Sequence, residues 1–217
     1  MKKSLVTNIA IAAVLVVLSV AVFSADLERV YSPIAAPITV GNKSAKNVSL
    51  MICVEADTEG GVLDAYANAL AARDSSATFF VQGSWVMKNP LKLKNILALE
   101  FELGNLGFSG KSFKPMNTEK QKQEILDTHT IVKGMTGVDM KMFTPPDGEY
   151  NKDTVKTATA LGYTTVGQSK ASPTPQNGDL ILVCPSDTAV EDFEALLDSY
   201  LQQGFAIIKV SDNITSI

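Results

Sequence analysis

The side chains that usually hold transition metals or transfer protons at neutral pH are scarce in this chain. It contains one histidine, His129, and two cysteines, Cys53 and Cys184. Zinc sites built on two imidazoles or on four thiolates are therefore excluded. A cysteine nucleophile would need a neighbouring base or cation to lower its thiol pKa, and His129 is predicted to lie on the outer side of a barrel, within a helix. We therefore expect no histidine-based catalysis.

Carboxylates are the other candidate metal ligands. Glu55, Asp57 and Glu59 follow a predicted buried strand, and Asp147 and Glu149 lie in a Pro-Pro-Asp-Gly loop. Oxygen donors of this kind could bind a hard cation such as calcium. Their spacing matches no calcium-binding loop, so we favour the interpretation that they are solvated loop carboxylates.

The composition is that of one folded domain. The chain has 217 residues, of which 46% are hydrophobic and 19% are charged, and these proportions fit neither a disordered chain nor a fibrous one. The formal net charge is −4. A nucleic-acid partner is therefore not expected, because phosphate binding requires a basic surface.

Residues 1–25 predict a targeting segment. Lys2 and Lys3 precede an apolar run over residues 5–23, which is the pattern of a secretory signal peptide. The run also approaches the roughly 20 residues that span a bilayer, so a cleaved signal peptide and a retained membrane anchor both stay open. In either case we expect the remainder to be exported, either secreted or anchored at the extracellular face of the membrane. Residues 26–46 are predicted to be a linker.

Residues 47–217 form the predicted domain and alternate short apolar runs with amphipathic stretches. Strands are predicted at 48–54, 77–81, 102–106, 141–144, 163–167, 180–184 and 205–210. Helices are predicted at 62–73, 90–99, 118–135, 152–161 and 190–203. Thr118 and Gln121 have the spacing of a capping box at the start of the third helix. This alternation predicts an α/β fold with a parallel sheet, and seven repeats favour an irregular (β/α)7 TIM-like barrel.

In such a barrel the functional site forms at the C-terminal ends of the strands. Three sequence segments near these ends are similar to motifs of a known family. Ala77–Trp85 reads ATFFVQGSW and resembles the family phrase ATFFvvGsWv. Glu102–Gly110 reads ELGNLGFSG and resembles EiGNHgySH, and Phe143–Tyr150 reads FTPPDGEY and resembles FRPPyGeYn. The three segments also occur in the order and at the spacing of the family's motifs. Residues 47–216 therefore resemble the polysaccharide deacetylases, also called the NodB-homology domain.

The resemblance implies a zinc-dependent or other metal-dependent hydrolase that removes acetyl groups from chitin, peptidoglycan or related glycans. In the family an Asp base activates a metal-bound water, a second Asp and two His hold the metal, and a late His is the acid. The resemblance places these roles, and that of an Arg that orients the base, on residues that cannot perform them: Cys53 (base), Val54, Leu106 and Gly110 (ligands), Thr144 (Arg) and Cys184 (acid). We therefore expect a degenerate member with no catalytic residue, no metal site and no cofactor.

Polar residues near the predicted strand ends remain as candidates for contact with a bound ligand. They are Glu55, Asp57, Asn105, Ser109, Asp147, Tyr150 and Gln168.

The two cysteines support a separate prediction. An even number of cysteines in an exported protein suggests a disulfide, and the resemblance puts Cys53 and Cys184 at two positions that face one family active site. A bond needs Cα atoms within about 7 Å. Because we expect the strand near Phe205 to lie between theirs, a disulfide and two buried free thiols both stay open.

Three functions are compatible with these features. The first is an exported pseudoenzyme of the cell envelope that binds a cell-wall glycan or an envelope protein. The second is an active deacetylase that hydrolyses C–N amide bonds with a rearranged site. The third is an interaction domain without glycan affinity. The membrane is an expected partner only through an uncleaved N-terminal segment.

Overall fold

The computed structural model describes residues 36–215. The predicted targeting segment, 1–25, lies outside the described residues, as does the first part of the predicted linker. Among the described residues, no helix combines the length and the apolar character that crossing a bilayer requires.

Eight strands and seven α-helices make up the described part of the chain. The strands are β1 (Asn47–Val54), β2 (Thr78–Val81), β3 (Glu102–Asn105), β4 (Met142–Phe143), β5 (Thr164–Thr165), β6 (Ser169–Lys170), β7 (Leu180–Val183) and β8 (Ala206–Ile207). The helices are α1 (Gly60–Ala71), α2 (Gly83–Lys88), α3 (Pro90–Ala98), α4 (Thr118–Thr136), α5 (Thr154–Ala160), α6 (Val190–Gln202) and α7 (Val210–Thr215).

The strands form one parallel sheet in the order β5-β4-β3-β2-β1-β7-β6, and β8 pairs with the start of β1. The predicted α/β class and parallel sheet are confirmed. The sheet curls into a half-barrel whose path ends at β5 and β6. All seven predicted strands are present, and β6 is an additional one.

β1 is the central strand, and all eight of its residues are buried. Its last five residues, Leu50–Val54, form a continuous apolar run, which is typical of a parallel strand that is covered on both faces. Ile52 is paired with Phe79 of β2 on one side and with Val183 of β7 on the other. The C-terminal ends of β1, β2 and β7 therefore meet at the same edge of the sheet.

Two apolar clusters cover the two faces of the sheet. Leu50, Ile52 and Val54 point to the larger cluster, which includes residues of the surrounding helices. Met51 and Cys53 point to the smaller cluster on the inner face of the half-barrel. Because successive side chains of a strand alternate between faces, Glu55 continues the Met51 and Cys53 side at the end of β1.

Local signals explain some differences between the predicted and observed helices. The N-cap of α4 is Asn117, whose side chain accepts a hydrogen bond of 3.0 Å from the Lys120 amide. The predicted capping box of Thr118 and Gln121 is therefore wrong. Gln121 is buried and its amide instead donates to the carbonyl oxygens of Phe113 and Met116.

The end of the predicted linker packs against the sheet. The Ile38 amide donates to the Thr165 carbonyl at 2.9 Å, and the Gly167 amide donates to the Ile38 carbonyl at 2.8 Å. Val40 forms an antiparallel bridge with Asp179. Residues 38–40 thus bond to backbone beside both β5 and β7.

Candidate functional site

A cavity of about 730 Å³ lies at the C-terminal edge of the sheet, near β7. Its wall comes from the loop after β4, the segment around β6, the end of β7 and the start of α6. The lining residues are Asp147, Gly148, Gln168, Ser169, Ala171, Leu182, Val183, Cys184, Asp187, Thr188, Asp192 and Leu196. The strand ends therefore form a ligand-sized depression, as the predicted fold requires.

Three potential metal-ligating side chains meet beside this cavity. The sulfur atoms of Cys53 and Cys184 and a carboxylate oxygen of Glu55 all lie within 4.8 Å of one another. Cys53 is buried, whereas Glu55 and Cys184 are half-buried. Cys184 also lines the cavity, so the cluster borders open space.

The strand order brings the two cysteines together. β7 pairs with β1 directly, and the pair Ile52 and Val183 immediately precedes the two cysteines. β8 pairs only with Asn47 and Val48. The expectation that the strand near Phe205 lies between the cysteines is therefore wrong. Both cysteines are free thiols in this structure.

The surroundings of Cys53 and Glu55 favour the protonated form of each group. The hydrogen bond with Cys184 and burial raise the pKa of the Cys53 thiol far above its usual range, and the nearby Cys184 and Glu55 charges add to this effect. Cys53 is therefore a protonated thiol at neutral pH in the metal-free chain. Burial also raises the pKa of Glu55, and so do the charges of Asp57, Asp147 and Asp187.

The positions where the resemblance places metal ligands carry no donor atoms. Val54 is completely buried against the outer cluster. Leu106 is 3% exposed and packs in the inner cluster with Cys53. Gly110 has a φ of +72°, and a Cβ atom there would lie 2.5 Å from the Gln82 side-chain nitrogen. The family's ligand set therefore does not fit this chain.

The position of the family arginine is also part of the interior. Thr144 is completely buried. Its hydroxyl has no hydrogen-bond partner within the described part of the chain. Thr144 lines a smaller cavity of about 160 Å³, together with Tyr150 and Gln168.

Five of the seven candidate ligand-contacting residues lie at or beside open space at this edge. Asp147 and Gln168 line the main cavity, and Gln168 also lines the smaller cavity beside Tyr150, which is 44% exposed. Glu55 adjoins the main cavity through Cys184. Asp57 is exposed and close enough to Glu55 to influence its charge.

The other two, Asn105 and Ser109, have structural hydrogen bonds. Asn105 is completely buried; its side-chain amide donates to the Ile125 carbonyl at 2.9 Å and to the Tyr163 hydroxyl at 3.1 Å. Its side-chain oxygen accepts from the Gly107 amide at 2.8 Å. The Ser109 hydroxyl donates to Glu124 of α4 at 2.8 Å.

The single histidine lies away from the cavity. His129 is on α4, where its Nδ1 is 2.6 Å from the Tyr163 hydroxyl and its Nε2 is 3.2 Å from Asp139. This placement confirms that it is a partly buried helix residue. It cannot supply the imidazole that the family reaction uses as an acid.

Asp187 and Asp192 line the cavity but were not predicted as site residues. Asp187 follows β7 at Cys-Pro-Ser-Asp, so its position at a strand end was an available signal. Asp192 lies in the first turn of α6, where an acidic residue is also favoured by the helix dipole. Because this structural role is common, the sequence alone did not indicate that Asp192 lines the cavity.

A comparison with protein families identifies the chain. The sequence profile described as "Polysaccharide deacetylase" matches residues 42–166, which is more than half of the chain. The chain belongs to the polysaccharide deacetylase family. The family predicted from the three sequence phrases is thus confirmed.

Two curated relatives are informative. The uncharacterized protein YlxY of Bacillus subtilis is 27% identical over 192 residues, covering 81% of this chain and 60% of that protein. A peptidoglycan-N-acetylglucosamine deacetylase of Bacillus cereus is 33% identical over 92 residues, covering 42% of this chain and 43% of the deacetylase. The chain thus spans less than two thirds of the length of either relative.

Solved structures with similar folds include a pseudoenzyme and a carbohydrate esterase. A family 4 carbohydrate esterase (CE4) pseudoenzyme from Bacillus anthracis has a TM-score of 0.76 at 22% identity, covering 82% of this chain and 69% of that one. A family 4 carbohydrate esterase from the same organism has a TM-score of 0.76 at 23% identity, covering 84% and 89%. At these identities the likeness establishes the fold.

The expectation that this chain has no cofactor is contradicted by the family to which it belongs. The family consists of metal-dependent deacetylases, and the described residues contain one group, Cys53, Glu55 and Cys184, that could hold a metal ion. The expectation rested on the family's own ligand positions. It overlooked donors that a neighbouring strand brings to the same edge of the sheet.

Proposed function

We propose that this chain is a deacetylase-like domain of the cell envelope that no longer removes acetyl groups and instead binds cell-wall glycan. The observation that carries the proposal is the packing of Leu106. At the position of a family metal ligand, this side chain is part of the inner apolar cluster. An apolar core side chain thus stands where the family has a polar metal ligand.

The acid and base of the family reaction are also absent. The base position carries Cys53, whose pKa is raised by its hydrogen bond with Cys184 and by burial, so the thiol does not accept a proton at neutral pH. The acid position carries Cys184, and His129 is held on α4 by Tyr163 and Asp139. Acetyl removal would need a proton for the leaving amine, and no imidazole is in reach to provide it.

The cavity at the same edge suits a polar, uncharged or amine-bearing sugar. Asp147, Gln168 and Asp187 offer hydrogen-bond acceptors and an amide for hydroxyl groups, and Leu182 and Leu196 provide apolar wall for a sugar face. Peptidoglycan is the substrate named for the relative of Bacillus cereus. It lies outside the cytoplasm, where the predicted targeting segment would deliver this domain, secreted or anchored.

Co-sedimentation of the full chain with purified peptidoglycan tests this function. We expect retention on the glycan, and about tenfold weaker retention for Gln168→Ala and Asp187→Ala, each of which removes a polar group from the cavity wall. Asn95→Ala, on the exposed side of α3, is the control and is expected to bind as the parent chain does. Absence of retention, or equal retention by all variants, would overturn glycan binding in this cavity.

An active deacetylase with a rearranged site is the second candidate. The close approach of Cys53, Glu55 and Cys184 at the edge of the cavity favours it, since three ligands and an open position are typical of catalytic zinc sites. This candidate predicts acetate release that is lost in Cys184→Ser. Our proposal predicts no acetate release by the parent chain or by the Cys184→Ser variant.

A further inference from the structure

We propose that Cys53, Glu55 and Cys184 form a binding site for Zn²⁺, separate in its ligands from the family's metal site. This inference goes beyond glycan binding and does not depend on it. It follows from the positions of three donor atoms, from their chemical type and from the cavity beside them.

The backbone holds these donors on two neighbouring strands. Cys53 and Glu55 are two residues apart at the end of β1, so their side chains leave the sheet on the same side. Cys184 directly follows β7, the hydrogen-bonded neighbour of β1. One ligand, Cys53, therefore lies within β1, and the other two, Glu55 and Cys184, directly follow the ends of two paired strands.

The spacing of the donors is compatible with tetrahedral zinc. With Zn–S distances of about 2.3 Å and Zn–O distances of about 2.0–2.2 Å, the ligand atoms would be about 3.5–3.8 Å apart. The three donor atoms lie within 4.8 Å of one another. An approach of the donor atoms by at most about 1.3 Å, through side-chain rotation, would complete the coordination.

The donor types select the metal. Two thiolates favour a soft or borderline cation and disfavour magnesium, calcium and manganese, which prefer oxygen ligands. The carboxylate of Glu55 is a harder ligand that zinc also accepts. Zinc is therefore the ion that suits all three donors together.

The surroundings favour a cation and leave it accessible. Asp147 and Asp187 are close enough to interact electrostatically with Glu55, and both line the main cavity. A divalent ion would relieve the repulsion among these carboxylates. Because Cys184 also lines the cavity, the fourth coordination position would be open to a water molecule or a ligand there.

The site differs from the family's ligand set. The positions expected for the family's ligands, Val54, Leu106 and Gly110, offer no side-chain donors. The new ligands use the positions that the resemblance gives to the base and the acid, together with Glu55. A disulfide between Cys53 and Cys184 is the competing state of the same pair, and it would remove both thiolates.

Cobalt binding to the full chain tests the site. The chain is reduced, stripped of metal and titrated with Co²⁺, and we expect a thiolate-to-cobalt charge-transfer absorption that saturates at one ion per chain and disappears on addition of Zn²⁺. Cys53→Ser and Cys184→Ser should each bind cobalt more weakly and show at most about half of this absorption, because each removes one of the two thiolates. Glu55→Gln should keep the absorption but bind about tenfold or more weakly.

Asp192→Asn is the matched control, because Asp192 lines the cavity and carries the same charge as Glu55 but is not in the donor cluster. It should bind cobalt as the parent chain does. Thermal unfolding of each variant identifies any that fails to fold. As a measurement on the parent chain alone, Zn²⁺ should protect the half-buried Cys184 thiol from alkylation at least tenfold.

Three results would overturn the site. They are a reduced, folded chain without the charge-transfer absorption, cysteine variants that bind cobalt as well as the parent, and a Cys184 thiol that zinc leaves fully reactive. A chain that forms the disulfide in air should regain cobalt binding after reduction. Failure of glycan retention would leave these measurements unaffected, so the two proposals fail separately.

Discussion

Truncation of Leu106 tests whether a former ligand position has become core. Leu106 is 3% exposed, packs with Cys53 and Phe80 in the inner cluster and carries no polar atom in its side chain. Leu→Ala substitutions at buried sites cost about 2–5 kcal/mol, as the sum of lost burial and a residual cavity. Since Leu106 lies at the edge of the sheet, where neighbours can relax, we expect Leu106→Ala to lower the free energy of unfolding by about 2–4 kcal/mol.

Urea unfolding of the full chain, followed by circular dichroism, measures this loss. Leu91→Ala is the control, because Leu91 is 74% exposed on α3, and we expect a change within about 0.5 kcal/mol. A similarly small change for Leu106→Ala would refute the argument, since the side chain would then not contribute to the core.

Three further predictions follow from single contacts. Asn105→Ala should destabilise the fold by about 1–3 kcal/mol in urea unfolding, because it leaves buried hydrogen-bond partners unpaired, whereas Asn95→Ala on an exposed helix face should not. Gly110→His should lower the melting temperature and should not create a metal ligand. The reason is that Gly110 has a φ of +72° and that the Gln82 side chain occupies the space that a Cβ atom needs. A stable variant that binds a metal through the new histidine would contradict this prediction. Burial raises the pKa of Tyr163 to about 12, from 10.0 in the unfolded chain. The unfolded state therefore loses this proton first, and the free energy of unfolding should fall between pH 10 and pH 12. Tyr163→Phe should flatten this fall, and an unchanged slope would contradict the assignment.

The long buried strands could be predicted from the sequence. The last five residues of β1, Leu50–Val54, are a continuous apolar run, and the residues of β2 are all aromatic or β-branched. β6 has only two residues, too few for any periodicity. Helix α2 begins at Gly83, with only one residue between it and the end of β2, and no helix was predicted there.

The helix cap illustrates a second limit. Asn117 and Thr118 are both good N-cap residues, and the choice between them depends on a difference of one residue in the backbone. The sequence favoured Thr118 because Gln121 follows at the capping-box spacing. In the structure the N-cap is Asn117, since the buried side-chain amide of Gln121 donates hydrogen bonds to the carbonyl oxygens of Phe113 and Met116.

The candidate site was only partly predictable because it depends on strand order. The sequence identified Cys53 and Cys184 as residues at strand ends, but the neighbour of β1 is not encoded by local pattern. The direct pairing of β1 with β7 creates the cluster with Glu55. Asn105 shows the opposite limit: its strand-end position suggested ligand contact, while its side chain is committed to hydrogen bonds within the protein.

Acetate release is the measurement that tests the central claim most directly. The full chain, in a metal-free form and a zinc-loaded form, is incubated with peptidoglycan and with chitooligosaccharides, with an active family 4 carbohydrate esterase as the positive control. We predict no acetate above the protein-free background in either form, because the base position is a protonated thiol and no imidazole reaches the cavity. Acetate release that requires zinc and is abolished by Cys184→Ser would contradict the account.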